Sequence, residues 1–131
     1  MKAKELMLGD WIKMPNERGG DNVQVENIYD KGCIASGRIL LSYEIQPIPL
    51  TQEILEKNGF QKSNNVSDTP PYDKDEEGNM HYSYNDKFWG WWQPNGVLCI
   101  PANALGFLEL KYVHELQHAL RLCGIEKEIE L

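Results

Sequence analysis

No stretch of this chain is long and apolar enough to read as a membrane span, and MKAKELMLGDWIK at the N-terminus holds no apolar run resembling a signal sequence. Cysteine is scarce. Cys33, Cys99 and Cys123 are widely separated, odd in number and form no C-x-x-C pair, which argues against a disulfide scaffold and for a reducing compartment. No single His is spaced to activate one of them, so thiol catalysis is not expected. Basic residues are in the minority: 13 Lys and Arg against 20 Asp and Glu leave a net charge of -7. Affinity for a phosphate backbone comes from Lys and Arg displacing counterions, and no run of either is present, so nucleic acid is disfavoured as a partner. These absences together predict a cytoplasmic protein that does not associate with membranes.

The chain does carry enough apolar material for a core. Of its 131 residues, 41% are hydrophobic and 10% aromatic, which suits one compact domain or two small subdomains sharing a core. Residues 6–50 read as short strands separated by turns: Trp11 to Met14, Val23 to Tyr29, Cys33 to Ala35, and Ile39 to Ile45 before Pro47 and Pro49. Short strands with tight turns predict a small antiparallel barrel or curled sheet. Thr51 is a good N-cap, Gln52 and Glu53 fill a first helical turn, and Gly59 stands where a left-handed C-terminal residue belongs, so 52–58 is expected to be helical.

Residues 61–79 are polar, acidic and Pro-containing and read as a long loop. Within it, Asp73 to Gly78 resembles the start of a calcium loop, but the twelfth position is Tyr84 rather than Glu, so a solvated acidic loop is expected. Strands follow at His81 to Tyr84, Phe88 to Gln93, Val97 to Ile100 and Leu105 to Leu110, the middle pair joined by a turn at Pro94-Asn95-Gly96. A last helix near 112–123 places Tyr112, Val113, Leu116, Ala119, Leu120 and Cys123 on one apolar face, with His114 and His118 pointing away, toward solvent or a shallow groove. Residues 126–131 alternate weakly, as an edge strand would. The fold class predicted is α+β: residues 1–50 as a small β-barrel-like subdomain, and 51–131 as an α+β subdomain with two helices on a short antiparallel sheet.

Three stretches carry a resemblance: KELMLGDWI at 4–12, PIPLTQEILEKNGF at 47–60 and KYVHELQHALRLCGIEKEIEL at 111–131. Through them the chain resembles a family of small uncharacterised proteins encoded by gut anaerobic bacteria (Bacteroides-like) and their phages. The resemblance implies a barrel-like N-terminal part followed by an α+β part, and it implies no activity. In similar proteins the last helix reads Tyr-Val-His and then Leu-Gln-Asn, so the position of His118 is not a metal ligand there.

Two stretches carry chemistry. His114, Glu115 and His118 fit H-E-x-x-H, in which two His one helical turn apart bind zinc and the Glu acts as general base. The pattern lacks its third ligand: Arg121 and Gly124 stand where a metzincin would carry Gly and His, and the short tail leaves little chain to supply a Glu. The expectation is therefore no cofactor and no catalytic residue, with a zinc-dependent peptidase or hydrolase using Glu115, His114 and His118 as the alternative. In the second stretch, Phe88-Trp89-Gly90-Trp91-Trp92, a strand puts Trp89 and Trp91 on one face and Phe88 and Trp92 on the other. One pair is expected in the core. Trp89, Trp91 and Trp92 are therefore the candidate interaction surface, for an unknown protein partner or for self-association.

Overall fold

The computed structural model describes residues 1, 5–15, 20–62, 80–85, 87–103 and 106–131. The acidic stretch 73–78 and the rest of the expected loop from 63 to 79 lie outside the described residues. Among the described residues the strands are β1 (Trp11–Met14), β2 (Asp21–Tyr29), β3 (Gly32–Ala35), β4 (Arg38–Leu41), β5 (Gln46–Pro47), β6 (Gln61–Lys62), β7 (Met80–Tyr84), β8 (Phe88–Trp92), β9 (Leu98–Asn103) and β10 (Gly106–Leu110). The helices are α1 (Gln52–Lys57) and α2 (Val113–Leu122). Antiparallel sheet dominates and two helices accompany it, which makes the fold α+β. The chain divides into two units, Met1–Pro49 with Tyr112–Ala119, and Leu50–Lys111 with Leu120–Leu131.

The first unit holds a five-stranded sheet in the order β4-β3-β2-β1-β5. Ser36 and Gly37, at φ 51 and 72, form the two-residue turn that joins β3 to β4; positive φ at both positions suits the right-handed twist of a hairpin. The first half of β2 pairs with β1 and the second half with β3, and the β2–β3 register shifts between Val25 and Asn27. Such a bulge bends the strand, so the sheet curls around Leu6, Ile12, Val25, Cys33, Ala35, Leu40 and Ile45.

No closed barrel forms among the described residues. The edge strands β4 and β5 share no ladder, and the expected strand from Ile39 to Ile45 is broken by a 3-10 turn at Ser42–Glu44. Glu44 shields the exposed edge: one carboxylate oxygen accepts the Leu41 N–H at 3.2 Å and the other pairs with Arg38 at 3.4 Å.

The second unit carries the sheet β10-β9-β8-β7-β6 and helix α1. The caps of α1 are those expected: the Thr51 hydroxyl accepts the Ile54 N–H at 3.2 Å, Gly59 takes φ 86, and the Phe60 N–H returns to the Leu55 carbonyl at 3.0 Å. The Tyr82 hydroxyl of β7 ties the sheet to this helix, accepting from Gln52 at 3.0 Å and donating to Glu56 at 3.4 Å. Phe60 packs edge-on against Phe88 with ring centroids 5.9 Å apart, so Phe88 is the core-facing member of the aromatic strand.

Residues 126–131 form no strand, contrary to the weak alternation of their sequence. A side chain does the work of a ladder. The buried Asn58 amide donates to the Glu130 carbonyl at 2.8 Å and accepts the Glu130 N–H at 2.7 Å, while Ile129 is buried. No helix among the described residues is long and apolar enough to cross a membrane.

Candidate functional site

The H-E-x-x-H residues belong to the part of α2 that packs within the first unit. Their face, predicted to meet solvent or a shallow groove, is half-buried at Glu115 and His118. His114 and Gln117 are only 5% and 6% exposed. The reason is a polar lock onto the loop before β1. The Gln117 amide donates to the Gly9 carbonyl at 3.0 Å and accepts the Trp11 N–H at 2.8 Å. Between those contacts lies Asp10, fully buried, whose carboxylate accepts the Met7 N–H at 2.8 Å and faces His118 Nε2 at 2.6 Å.

Each letter of the motif thus has a structural duty. Glu115 caps its own helix, accepting at 3.0 Å the N–H of Tyr112, the residue just before α2. The His114 ring stacks on Tyr112 with centroids 5.9 Å apart and planes 10° apart. Burial holds the His114 imidazole below its ordinary pKa; Asp10, Glu115 and Glu5 pull the other way, and His118 adds to the depression. Its Nδ1 is buried without a hydrogen-bond partner.

His118 Nε2 is taken up by Asp10, Glu115 accepts the Tyr112 N–H, and among the described residues no group of three His, Cys, Asp or Glu is placed to hold a metal ion. Burial also raises the Cys33 thiol above its ordinary pKa, as it does Cys99 with a smaller push from Glu109, which keeps both protonated and unreactive.

The aromatic strand builds a different kind of site, wholly within the second unit. Trp89 and Trp91 share one face of the strand, as expected, and the structure turns that face outward while Phe88 is buried. Gly90, between them, faces inward, where an added Cβ would lie 2.5 Å from the Cys99 carbonyl oxygen and 2.9 Å from Ile100 Cγ2. Glycine lets β8 and β9 approach closely at the point that sets the two indoles apart. Trp92 is half-buried and points to the opposite face, with Phe88, so it does not join the outer cluster.

Cross-strand register recruits the remaining members. His81 on β7 stands opposite Trp91, Trp91 opposite Cys99 on β9, and Cys99 opposite Glu109 on β10. One row across four strands therefore reads His-Trp-Cys-Glu. Trp91 is its hub: its ring lies 6.3 Å from His81, 5.9 Å from Trp89 and 4.9 Å from Phe107, the last nearly perpendicular at 80°. Trp89 is 50% exposed and Phe107 65%. Sequence reading had found Trp89 and Trp91 but not His81, Phe107 or Glu109. Strand alternation could have flagged Phe107 and Glu109 as sharing a face, but not which residues they would meet.

Compared with protein-family models, curated proteins and solved structures, the chain matches none.

Proposed function

We propose that this chain is a non-enzymatic accessory or interaction protein, of phage or mobile-element origin, that engages a protein partner or a second copy of itself through the outer face of the β6–β10 sheet. The observation that carries this reading is the cluster centred on Trp91, with Trp89 and Phe107 half or more exposed beside it. Large aromatic side chains seldom gather on an open sheet face without a use, because each leaves substantial apolar area in water. The structural duties of His114, Glu115, Gln117 and His118 support the non-enzymatic half of the reading. The resemblance of three stretches to phage-encoded proteins supports the origin.

The double variant Trp89→Ala/Phe107→Ala tests it. Affinity capture from host extract and sedimentation of the purified chain should show a discrete partner or a self-associated species that the double variant loses, with its thermal midpoint nearly unchanged. Identical behaviour of the two proteins, or a wild type that stays monomeric and captures nothing, would remove this reading.

A further inference from the structure

The chemistry of the same face narrows the partner, an inference that rests on the proposed binding role of that face. Three aromatic rings stand close together at different angles: Trp89 is tilted 35° from Trp91, and Phe107 meets Trp91 at 80°. Rings set at different angles present π-faces along more than one direction, as the walls of a shallow corner do. The π-face of an indole is electron-rich and attracts a cation lying over it.

Charge on this face points the same way. Alternation and register place Gln61, Ser83, Pro101 and Glu109 on it beside the aromatic group, while Lys62 falls on the opposite side of its strand. Glu109 is exposed, and of the described strand residues that alternation places on the face it is the one Asp, Glu, Lys or Arg. It sits in the same cross-strand row as Trp91, with Cys99 between them. Around this face the whole chain carries a net charge of -7. A cationic partner is drawn by both the local and the long-range field, whereas a phosphate-bearing strand stacking its bases on the indoles would be repelled by both.

We propose that the outer face of the β6–β10 sheet binds a basic segment of a protein partner, with Arg or Lys side chains laid against Trp89, Trp91 and Phe107 and with Glu109 as their counter-charge. Guanidinium fits best, because it stacks on a ring face and still offers N–H donors to a carboxylate at its edge. A lone aromatic platform would serve a neutral sugar equally well; the carboxylate in the row is what selects a cation.

The full chain is titrated with a blocked hexapeptide of alternating Arg and Gly, followed by tryptophan fluorescence and calorimetry. A Glu-Gly hexapeptide and maltohexaose are run in parallel. The expected result is a saturable response to the Arg peptide alone. It should weaken as salt rises from about 50 to about 500 mM, because exposed charges are then screened. Trp89→Ala and Glu109→Gln should each weaken binding by roughly 2- to 5-fold, the size of one exposed cation–π or ion-pair contact. No saturation with the Arg peptide overturns the proposal, as does equal affinity in Glu109→Gln. Saturation with maltohexaose or the Glu peptide alone would leave the face a binding surface while sinking the cationic partner. Silence toward every probe, together with partner capture indifferent to Trp89→Ala/Phe107→Ala, would sink both.

Discussion

Asp10 Oδ2 stands 2.6 Å from His118 Nε2 across 108 residues of chain. The oxygen is fully buried, and the contact is the length of a short hydrogen bond between ring nitrogen and carboxyl. This contact joins two stretches far apart in the chain, KELMLGDWI at 4–12 and KYVHELQHAL at 111–120. Asp10→Ala leaves the Met7 N–H and the His118 ring without their partner. It should cost about 2–3 kcal/mol in urea unfolding, the usual size for a hydrogen bond to a charged group. His118→Leu should cost a similar amount, while His118→Asn should cost less because its amide can still donate. A neutral Asp10→Ala would mean that the loop before β1 is held by Gln117 alone.

His114 makes stability depend on pH in a definite direction. Burial lowers its pKa below the ordinary value of 6.5, so the unfolded chain binds a proton that the folded chain refuses. Above pH 6.5 both states are neutral there and nothing is lost. As pH falls below that value the unfolded state is favoured, until the folded pKa is reached. Denaturant midpoints should therefore drop from about pH 7 to about pH 5, and His114→Leu should flatten that limb. An identical slope in the variant would assign the acid sensitivity elsewhere.

Glu115 offers a direct contrast between peptidase and capping chemistry. Glu115→Gln preserves an acceptor for the Tyr112 N–H and should fold almost as well as the native chain, whereas Glu115→Ala should lose about 1 kcal/mol. Added zinc should shift the thermal midpoint of none of the three. A zinc-dependent rise that survives in both Glu115 variants and disappears in His114→Ala would restore the metal reading.

Asn58 is expected to be the costliest polar residue of the second unit to remove. It is 1% exposed and bonds both the N–H and the carbonyl of Glu130, along with the Ile54 carbonyl at 2.7 Å. Asn58→Ala orphans buried backbone groups and should destabilise by about 2–3 kcal/mol. Hydrogen exchange should quicken at Glu130 before it does in the β7–β8 ladder. Unchanged protection of Glu130 would show that Ile129 burial alone holds the tail.

Local signals were legible where the physics is local. Thr51 and Gly59 marked the two ends of α1 because capping depends on a few neighbouring residues. Strand alternation divided Trp89 and Trp91 from Phe88 and Trp92 for the same kind of reason. The helix bearing His114 and His118 was misread in two places. Its apolar stripe is buried at Val113, Leu116, Ala119 and Leu120, but Cys123, expected on that stripe, is exposed, and on the polar side His114 and Gln117 are buried. A polar residue counts as solvent-facing in a periodicity argument unless its partner is visible, and the partners of Gln117 and His118 lie 106 to 108 residues away. Phe107 escaped notice likewise: its contact with Trp91 depends on how three strands register, which no window along the chain contains.

The division of α2 between the units bears on how the chain is made. Residues 1–49 are synthesised first, yet their unit includes Tyr112–Ala119. Until those residues leave the ribosome, the β1–β5 segment can pair its strands but must keep Asp10 hydrated or exposed, because the imidazole that answers it does not yet exist. The N-terminal segment therefore waits for the C-terminal helix to complete it, and a nascent chain halted before residue 112 carries an acidic loop with nothing to close on. Translation order, on this account, makes the helix the last part inserted and the step that commits the first unit to its final form.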